Sequence, residues 1–302
     1  MKKNVLVIGG TGFIGSEVIF QLQKEGKYNI FSFSRSKNDN CPSFIGNVEK
    51  IETLEKVYQE ISVDVTLILY GLKSIAASVD IDKYSKNEID GMINILDCCD
   101  KYNCKKIIYI SSSAIYSSGE NINEDSELEL KSFYSFTKYT NENLLIWYKK
   151  IKNIDYEILR CFNVVGVTSQ KRISNDIISL LLQNNRLDIL GTDFNTFDGT
   201  LIRDYIHVKD VARAILKCIE LNSSNILNVA SGKGYSIKEI IELTKQYKLI
   251  DIKTSVLPKR AFDQDCLIAN IQTTKEILDW YPVYSIENII KDTADVIMEL
   301  QN

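Results

Sequence analysis

The stretch VLVIGGTGFIG, from Val5 to Gly15, decides the fold of this chain. Its first four residues are apolar and mostly β-branched, which predicts a buried strand, and an amphipathic segment follows its last glycine. In such a turn one glycine permits the reversal, one lets the backbone approach a pyrophosphate, and one lets helix pack on strand. The helix N-terminus directs N–H groups and the positive end of its dipole at the phosphates. We therefore predict that a dinucleotide contacts Gly9, Gly12, Phe13, Ile14 and Gly15.

Short apolar runs and helical patterns alternate along the rest of the chain. The further apolar runs are Ile30–Phe33, Phe44–Ile45, Val65–Leu69, Ile107–Ile110, Tyr156–Leu159 and Ile226–Val229. Apolar residues at helical spacing fill Glu17–Glu25, Asp90–Tyr102 and Thr137–Lys150. This alternation predicts an α/β fold, a Rossmann-type doubly wound parallel sheet with a smaller C-terminal substrate lobe. We predict a dinucleotide-binding domain over residues 1–166, rejoined by a segment at about 224–232, and mainly a substrate-binding lobe over residues 167–302.

Composition excludes several classes of function. The formal net charge of -4 provides no broad basic field, which argues against nucleic acid as a partner. No apolar run is long enough to span a membrane, and the run after Lys3 is too short for a signal peptide, so we expect a cytoplasmic protein. The seven cysteines suggest no disulfide framework. The single histidine, His207, is expected to be structural, which disfavours Ser-His-Asp hydrolysis and a metal site.

The end of the second predicted strand leaves the choice of cofactor open. An acidic residue there would bond the adenosine ribose hydroxyls of NAD. This chain has Ser34 and Arg35 instead. An arginine beside hydroxyl groups suits the 2′-phosphate of NADP, whereas a solvated loop arginine with the ribose held by Ser34 or by backbone suits NAD. We keep both alternatives.

A Tyr-x-x-x-Lys pair can place both side chains on one face of a helix, where the ammonium favours the tyrosinate and the phenol can act as a base. The pattern occurs at Tyr102/Lys106, Tyr134/Lys138, Tyr148/Lys152 and Tyr205/Lys209. Tyr134/Lys138 begins a predicted helix after the strand that ends in Ser111-Ser112-Ser113, at the carboxyl edge of the sheet where ligands bind. We therefore predict a catalytic role for Ser112, Tyr134 and Lys138.

The chain resembles the extended short-chain dehydrogenase/reductase superfamily over nearly its whole length. The motifs that carry this resemblance are GGTGFIG, SSSAIY, YSFTK and LRCFNVVG at Leu159–Gly166. Two segments resemble the UDP-glucose 4-epimerase family more specifically. They are Gly71-Leu72-Lys73-Ser74, followed by Ala77-Ser78-Val79, and LDILGTDFNTFDGTLIRDYIHVKDVARA from Leu187 to Ala214.

The resemblance implies a role for individual residues. Tyr134 would be the base, Ser112 would be catalytic with Ser113 as a neighbouring candidate, and Lys138 would bind the nicotinamide ribose. Lys73 would lie by the cofactor, and Ser34, Arg35, Asn47 and Val48 complete the expected cofactor set. Expected on the substrate side are Ser112, Ser113, Asn163 at the diphosphate, Arg203 and Arg260 paired with the diphosphate, and Asn175.

The chain departs from the family pattern at four places. The family usually has Asp where Asn47 stands, and Asn where Glu88 stands. It usually has Gly where Ser117 follows Tyr116, and a small residue at the position of Tyr70. These departures bear on cofactor preference and on how tightly the cofactor is held.

The resemblance implies an NAD(P)-dependent nucleotide-sugar 4-epimerase, an isomerase that acts on a UDP-hexose-type substrate through a transient 4-keto sugar. NAD or NADP would be tightly bound because it is regenerated in each cycle, and a homodimer is expected. One alternative is an NADPH-dependent 4-keto-sugar reductase, which Arg35 would support. A 4,6-dehydratase fits less well, because Ser113-Ala114 follows Ser112 where an Asp-Glu pair is common. An alternative from another class is a non-catalytic NADP-binding sensor.

Overall fold

The computed structural model describes residues 2–72, 80–248 and 251–301. The strands, in chain order, are β1 (Lys3–Ile8), β2 (Tyr28–Ser34), β3 (Ser43–Ile45), β4 (Val65–Ile68), β5 (Lys106–Ser112), β6 (Gly119–Ile122), β7 (Asp155–Cys161), β8 (Asn163–Val165), β9 (Arg186–Leu190), β10 (Ile202–His207), β11 (Asn225–Val229), β12 (Gly234–Ser236), β13 (Lys253–Leu257) and β14 (Cys266–Ala269). The α-helices are α1 (Phe13–Glu25), α2 (Ile51–Glu60), α3 (Ile81–Ser85), α4 (Gly91–Lys101), α5 (Phe133–Lys152), α6 (Ile177–Asn184), α7 (Val208–Ile219), α8 (Ile237–Lys248), α9 (Gln272–Leu278) and α10 (Ile286–Gln301). In these described ranges, no helix is both long and apolar enough to cross a membrane.

The largest sheet has the strand order β11-β7-β5-β4-β1-β2-β3. Its pairs β1–β2, β1–β4, β2–β3 and β4–β5 are parallel, with Val5 of β1 opposite Ile30 on one side and Val65 on the other. The strand order reverses on either side of β1, and in such sheets ligands bind at the carboxyl ends of the strands beside this switch point. The predicted parallel α/β fold is confirmed. The predicted elements overlap those observed, but β4 ends at Ile68, one residue before the predicted end, and α4 spans Gly91–Lys101, inside the predicted Asp90–Tyr102.

The chain forms two compact units by its internal contacts. The first comprises Met1–Ile115, Leu130–Arg160 and Ala212–Leu227, and the second comprises Tyr116–Glu129, Cys161–Val211 and Asn228–Asn302. The predicted boundary at residue 166 differs from this division, because β6 lies in the second unit, where it pairs with β14, and most of α7 lies in the first. Such long-range pairings leave no local pattern in the sequence. The roles assigned to the two domains stay predictions.

Each unit has its own apolar core. In the first unit the core includes Leu6 and Ile8 of β1 together with Met92 and Ile95 of α4 and Leu145 of α5, all almost fully buried. In the second unit a separate cluster gathers apolar residues of α6, α8 and α10. Burial of these side chains is the main favourable term that holds the strand ends, and therefore the site, in place.

Two helices that matter for the site begin with a capping box. Ser132 accepts a hydrogen bond from the Ser135 amide at 3.1 Å, and the Ser135 hydroxyl lies 3.1 Å from the Ser132 amide that donates to it. This arrangement satisfies amides of the first turn and starts α5 at Phe133. Asp176 and Ser179 form the same box at the start of α6. Tyr134 is thereby held in the first turn of α5.

Candidate active site

The glycine turn after β1 is too crowded for any side chain at two of its glycines. Gly9 has a φ of +88°, and a Cβ there would lie 2.7 Å from the Tyr70 amide nitrogen. A Cβ at Gly15 would lie 2.2 Å from the Gly9 carbonyl oxygen. The Gly12 amide donates to that same oxygen at 2.9 Å and closes the turn. The first turn of α1 contains no acidic residue. The turn therefore presents backbone without side chains at these glycines and without an acidic residue in the first turn of α1. These are the features that a pyrophosphate-binding turn requires.

Ser34, at the end of β2, supports the glycine turn. Its buried hydroxyl oxygen accepts a hydrogen bond from the Thr11 amide at 3.3 Å. Asn38, which the sequence did not single out, donates from Nδ2 to the Gly10 carbonyl at 3.1 Å and is buried. Arg35 is exposed at the same strand end. The structure thus gives Ser34 and Asn38 a role in holding the turn and leaves Arg35 accessible to a ligand.

Asn47 and Val48 lie in the loop between β3 and α2. The Asn47 side-chain oxygen accepts from the Glu49 amide at 3.2 Å, so it organises the turn before α2. Val48 is buried, and its carbonyl accepts from Asn94 Nδ2 at 2.9 Å. A Cβ at Gly91 would lie 2.7 Å from Val48 Cγ2. Contact of Asn47 and Val48 with a cofactor stays a prediction, and Lys73 lies outside the described residues.

The end of β5 carries three consecutive serines with different environments. Ser112 is half-buried, and its hydroxyl oxygen accepts from the Ala114 amide at 3.2 Å, while Ser113 is buried in the short 3-10 turn that follows. Ser111 donates a short hydrogen bond to the carboxylate of Glu142 on α5. Arg160 of β7 holds that carboxylate through Nη2 at 2.8 Å and Nε at 3.2 Å. Glu142 and Arg160 were not predicted from the sequence, although Glu142 lies one turn beyond Lys138 on α5.

Lys138 joins α5 to the end of β5. Its buried Nζ donates to the Ile110 carbonyl at 3.1 Å and lies 5.8 Å from the ring centroid of Tyr134, on the preceding turn of the helix. The Tyr109 ring centroid is 4.9 Å from Nζ on another side. The structure therefore brings Tyr134 and Lys138 together, on the helix that packs against the strand ending in Ser112.

The pKa of Lys138 reflects opposing effects. Burial lowers it, but the neighbouring Tyr109, Tyr134 and Glu88 raise it by more, so that the net pKa lies above the ordinary lysine value. Burial also raises the pKa of Tyr109 to about 12 despite the nearby Lys138. Lys138 is therefore a buried ammonium at neutral pH, positioned to stabilise negative charge on the Tyr134 phenol.

Glu88 is a buried carboxylate beside Lys138. Its Oε2 lies 3.9 Å from Lys138 Nζ, and its Oε1 accepts from the Leu72 amide at 2.7 Å. Burial raises the pKa of Glu88 above the ordinary value, although Lys138 and the Leu72 amide act in the opposite direction. The departure from the family pattern at this position therefore places a charge next to a predicted catalytic residue.

The other Tyr-x-x-x-Lys pairs use their polar atoms elsewhere. Tyr148 donates to Asp97 at 2.6 Å and Lys152 pairs with Asp100 at 2.6 Å. Lys106 pairs with Glu157 at 2.5 Å inside the first unit. Lys209 lies 3.5 Å from Asp292 in the second unit. Of the four pairs, Tyr134/Lys138 is the one whose lysine is buried against the end of β5.

Ser112 and Ser113 of the predicted substrate set lie in the first unit, whereas the other four predicted substrate residues lie in the second unit, in different surroundings. Arg203 is half-buried on β10, donates to the Ile202 carbonyl at 2.9 Å and forms no salt bridge with any described carboxylate. Burial lowers its pKa, with nearby Asp263 acting in the opposite direction. Arg260, in contrast, is exposed and makes two 2.8 Å hydrogen bonds to Asp263. Asn163 donates to the Asp204 carbonyl at 3.2 Å.

A cavity of about 290 Å³ lies in the second unit. Arg260 lines it together with apolar residues of α6 and β9, among them Ile177, Leu180 and Leu190. Asn175 is exposed just before Asp176, which also lines the cavity. The wall is otherwise largely apolar, and Asp188 of β9 is its third charged residue beside Arg260 and Asp176.

His207 is buried and packed face to face on Tyr284, with ring centroids 4.3 Å apart. Its Nδ1 accepts from the Lys209 amide at 3.0 Å. Burial, with a smaller effect of Lys209, lowers its pKa to about 3, so the ring is neutral. This environment suits the expected structural role. Within the described ranges, no group of three or more His, Cys, Asp or Glu side chains could hold a metal ion.

Comparisons with known proteins identify the family of this chain. Residues 5–230 match the NAD dependent epimerase/dehydratase family. The UDP-glucose 4-epimerase of Lactobacillus helveticus is 31% identical over 94% of this chain and 93% of its own length. The Brucella ovis UDP-glucose 4-epimerase in complex with NAD is similar in structure, with a TM-score of 0.89, 27% identity and coverage of 97% and 98% of the two chains. The Thermotoga maritima enzyme with UDP-glucose has a TM-score of 0.89 at 26% identity, covering 99% of this chain and 100% of that one.

Proposed function

We propose that this chain, which belongs to the NAD dependent epimerase/dehydratase family, is an NAD-dependent 4-epimerase of a UDP-hexose. The observation that carries the proposal is the buried Lys138 ammonium, bonded to Ile110 at the end of β5 and directed at the Tyr134 ring. The similar enzymes named above are UDP-glucose 4-epimerases, and two of them contain NAD or UDP-glucose. We expect this chain to share their chemistry.

The described residues that would hold NAD lie in the first unit. Gly9, Gly12 and Gly15, with the first turn of α1, would receive the pyrophosphate, and Ser34 and Arg35 would lie at the adenosine end. Phe13, Ile14, Asn47 and Val48 belong to the same proposed set, as does Lys73. When bound, NAD supplies reversible hydride transfer at C4 of the sugar. We propose that the first unit is the dinucleotide-binding domain.

Tyr134 would remove the proton of the C4 hydroxyl and later return it. The nearby Lys138 ammonium stabilises the phenolate that this requires, and the hydrogen bond to Ile110 keeps the ammonium in place. Ser112 would donate a hydrogen bond to the sugar oxygen, with Ser113 behind it. The proton is therefore held at the Tyr134 oxygen while the sugar is a ketone.

The second unit would bind the nucleotide part of the substrate. The largely apolar cavity beside Arg260 would take the uracil and its ribose, with Asn175 near its edge. Arg203, which pairs with no described carboxylate, is suited to the diphosphate. Arg260 would need to share its guanidinium with Asp263, and Asn163 would add an amide donor.

The proposal is tested with the purified chain and UDP-glucose, without added cofactor. We expect UDP-galactose to form, and we expect Tyr134→Phe to lower kcat by about 10²–10⁴-fold. Mass spectrometry of ligands released from the denatured protein should find NAD. Stoichiometric consumption of NADPH with a 4-keto-sugar nucleotide would favour the reductase instead. Failure to epimerise any UDP-sugar would overturn the proposal.

We also propose that the protein is a cytoplasmic homodimer. Phe136, Trp147 and Ile151 lie on one face of α5 and are 46%, 54% and 48% exposed. Burial of such a face against a second copy would be favourable. Light scattering during size exclusion should give twice the chain mass, and a monomeric mass would contradict this part of the proposal.

A further inference from the structure

Glu88 lies on a π-helical turn, Lys86–Asp90, between α3 and α4. Its side chain is 2% exposed although it carries a carboxylate. A π-turn inserts one residue into the helical repeat and re-aims the side chains on it, and such turns are frequent at functional sites. A carboxylate so deeply buried is costly unless it is paired and hydrogen-bonded.

The two carboxylate oxygens of Glu88 have different partners. Oε1 accepts from the Leu72 amide at 2.7 Å, and Oε2 lies 3.9 Å from Lys138 Nζ. A Cβ at Gly71 would lie 3.3 Å from Lys138 Nζ and 3.6 Å from Oε2, so the absence of a side chain at Gly71 leaves space for this pair. Glu88 therefore connects the backbone that follows β4 to the predicted catalytic lysine.

Helix α5 also holds the π-turn at a second point. Asn141, on the turn after Lys138, donates from Nδ2 to the Glu88 carbonyl at 3.0 Å. The same Nδ2 lies 3.3 Å from the Tyr109 hydroxyl. The position of the Glu88 carboxylate relative to Lys138 is thus set by contacts on both its backbone and its side chain.

Glu88 is the only carboxylate of the described chain within 4.0 Å of Lys138 Nζ. The titratable groups around the Glu88–Lys138 pair are Tyr134 of α5, Tyr109 of β5 and Tyr70 after β4. Glu49 lies farther out, near Tyr70 and Asn87. Burial raises the pKa of Tyr70 and of Tyr109, so these two phenols are neutral. The local charge is therefore the balance of one ammonium and one carboxylate.

We propose that Glu88 is a positioning residue whose carboxylate offsets the Lys138 charge and thereby raises the pH at which Tyr134 gives up its proton. An unopposed ammonium would stabilise the Tyr134 phenolate more strongly than the Lys138–Glu88 pair does. The Glu88 charge also keeps Lys138 protonated, which maintains the hydrogen bond to Ile110. The inference rests on the proposed function only in making Tyr134 the base.

The ionisation of Tyr134 can be measured without turnover. The ultraviolet absorbance of tyrosinate is measured against pH in wild type and in Tyr134→Phe, and the difference between the two curves is the ionisation step of Tyr134. The difference between Glu88→Gln and the double variant Glu88→Gln/Tyr134→Phe gives the same step without the Glu88 charge. Glu88→Gln keeps an oxygen for the Leu72 amide and removes the charge. We expect the Tyr134 step to move to lower pH by about one unit, because the variant lacks one nearby negative charge that acts through an effective dielectric of about 20.

The acidic limb of the pH profile of kcat should move in the same direction. Glu88→Asp, which keeps a negative charge, should retain the wild-type pH dependence better than Glu88→Gln. Glu49→Gln is the matched control, because Glu49 contacts Asn87 at 3.3 Å and forms no salt bridge with Lys138. It removes a charge nearby and should leave the Tyr134 step in place.

The outcomes separate this inference from the proposed function. A Glu88→Gln protein that melts cooperatively and ionises Tyr134 at the wild-type pH would overturn the inference. If Glu88→Gln does not fold, the smaller amide in Glu88→Asn provides the same comparison. A shifted Tyr134 step in a chain that epimerises no UDP-sugar would support the role of Glu88 and overturn the proposed function.

Discussion

Ser111 donates a short hydrogen bond to the buried carboxylate of Glu142, one turn beyond Lys138 on α5. The same carboxylate is held by the guanidinium of Arg160 on β7. Strands β5 and β7 and helix α5 thus meet at the Glu142–Arg160 ion pair, which Ser111 contacts next to Ser112 in the chain. The pair is nearly inaccessible to solvent, with 4% and 1% side-chain exposure for Arg160 and Glu142.

Loss of this pair should destabilise the fold. Glu142→Gln leaves the Arg160 charge buried without its counter-charge, which costs about 3–5 kcal/mol of unfolding free energy. Urea unfolding followed by circular dichroism measures this loss. Asp295→Asn, which breaks the exposed pair of Asp295 with Lys291, is the control and should leave the unfolding midpoint unchanged. Equal midpoints for wild type and Glu142→Gln would show that the ion pair contributes nothing.

Gly15→Ala should release the cofactor. A Cβ at this position would lie 2.2 Å from the Gly9 carbonyl, so the turn must open and the pyrophosphate cradle is distorted. We expect the amount of NAD retained per chain after gel filtration to fall at least about tenfold, the loss from about 1.4 kcal/mol of binding energy.

A glycine outside the turn provides the comparison. Gly26 has a φ of +67° but open space around it, with the nearest atom 4.0 Å from a Cβ. Gly26→Ala should lower stability by about 1 kcal/mol through backbone strain while NAD is retained. Equal NAD content in Gly15→Ala and wild type would contradict the proposed pyrophosphate site.

Arg203→Met should weaken nucleotide binding. Because Arg203 is half-buried and pairs with no described carboxylate, its charge is available to a diphosphate. We expect UDP to bind about 10–100-fold more weakly by isothermal titration, the value of one or two charged hydrogen bonds. Lys291→Met removes an exposed cation of the second unit that pairs with Asp295, away from the cavity lining, and its affinity for UDP should match wild type.

His207 should make stability fall as the pH is lowered. Its pKa of about 3 in the folded protein lies below the ordinary value of 6.5, so the unfolded chain takes up a proton first as the pH falls through 6.5. The contribution of His207 to the free energy of unfolding is therefore fully present above pH 6.5. About 2 kcal/mol of it is lost when the pH reaches 5.

The single histidine makes this prediction simple to check. Its imidazole C–H resonance should keep the chemical shift of the neutral ring from pH 8 to pH 5. In His207→Gln the corresponding part of the pH dependence of unfolding should be absent. An imidazole signal that titrates near pH 6.5 in the folded protein would refute the buried, neutral assignment.

The order of elements and the glycine turn could be predicted from the sequence because their causes are local. Buried strands of a parallel sheet appear as apolar runs, and helices repeat with a period near 3.6, so the residues from Val5 to Gly15 already specify strand, turn and helix. The spacing of Tyr134 and Lys138 is also local, but it occurs four times in the chain, and this pair was predicted to be catalytic because its helix follows the strand that ends in Ser111-Ser112-Ser113.

Only the tertiary structure decided which charged groups meet. Glu88 is 50 residues from Lys138 in the sequence, and Arg160 is 18 from Glu142, so no periodicity connects the members of either pair. Sequence similarity marked Glu88 as unusual but did not show that it lies 3.9 Å from the Lys138 ammonium. Electrostatic interactions depend on distance and burial, which only the packed chain defines. The sequence was enough to predict the fold and to propose the reacting groups, whereas tertiary packing determined the charge around them.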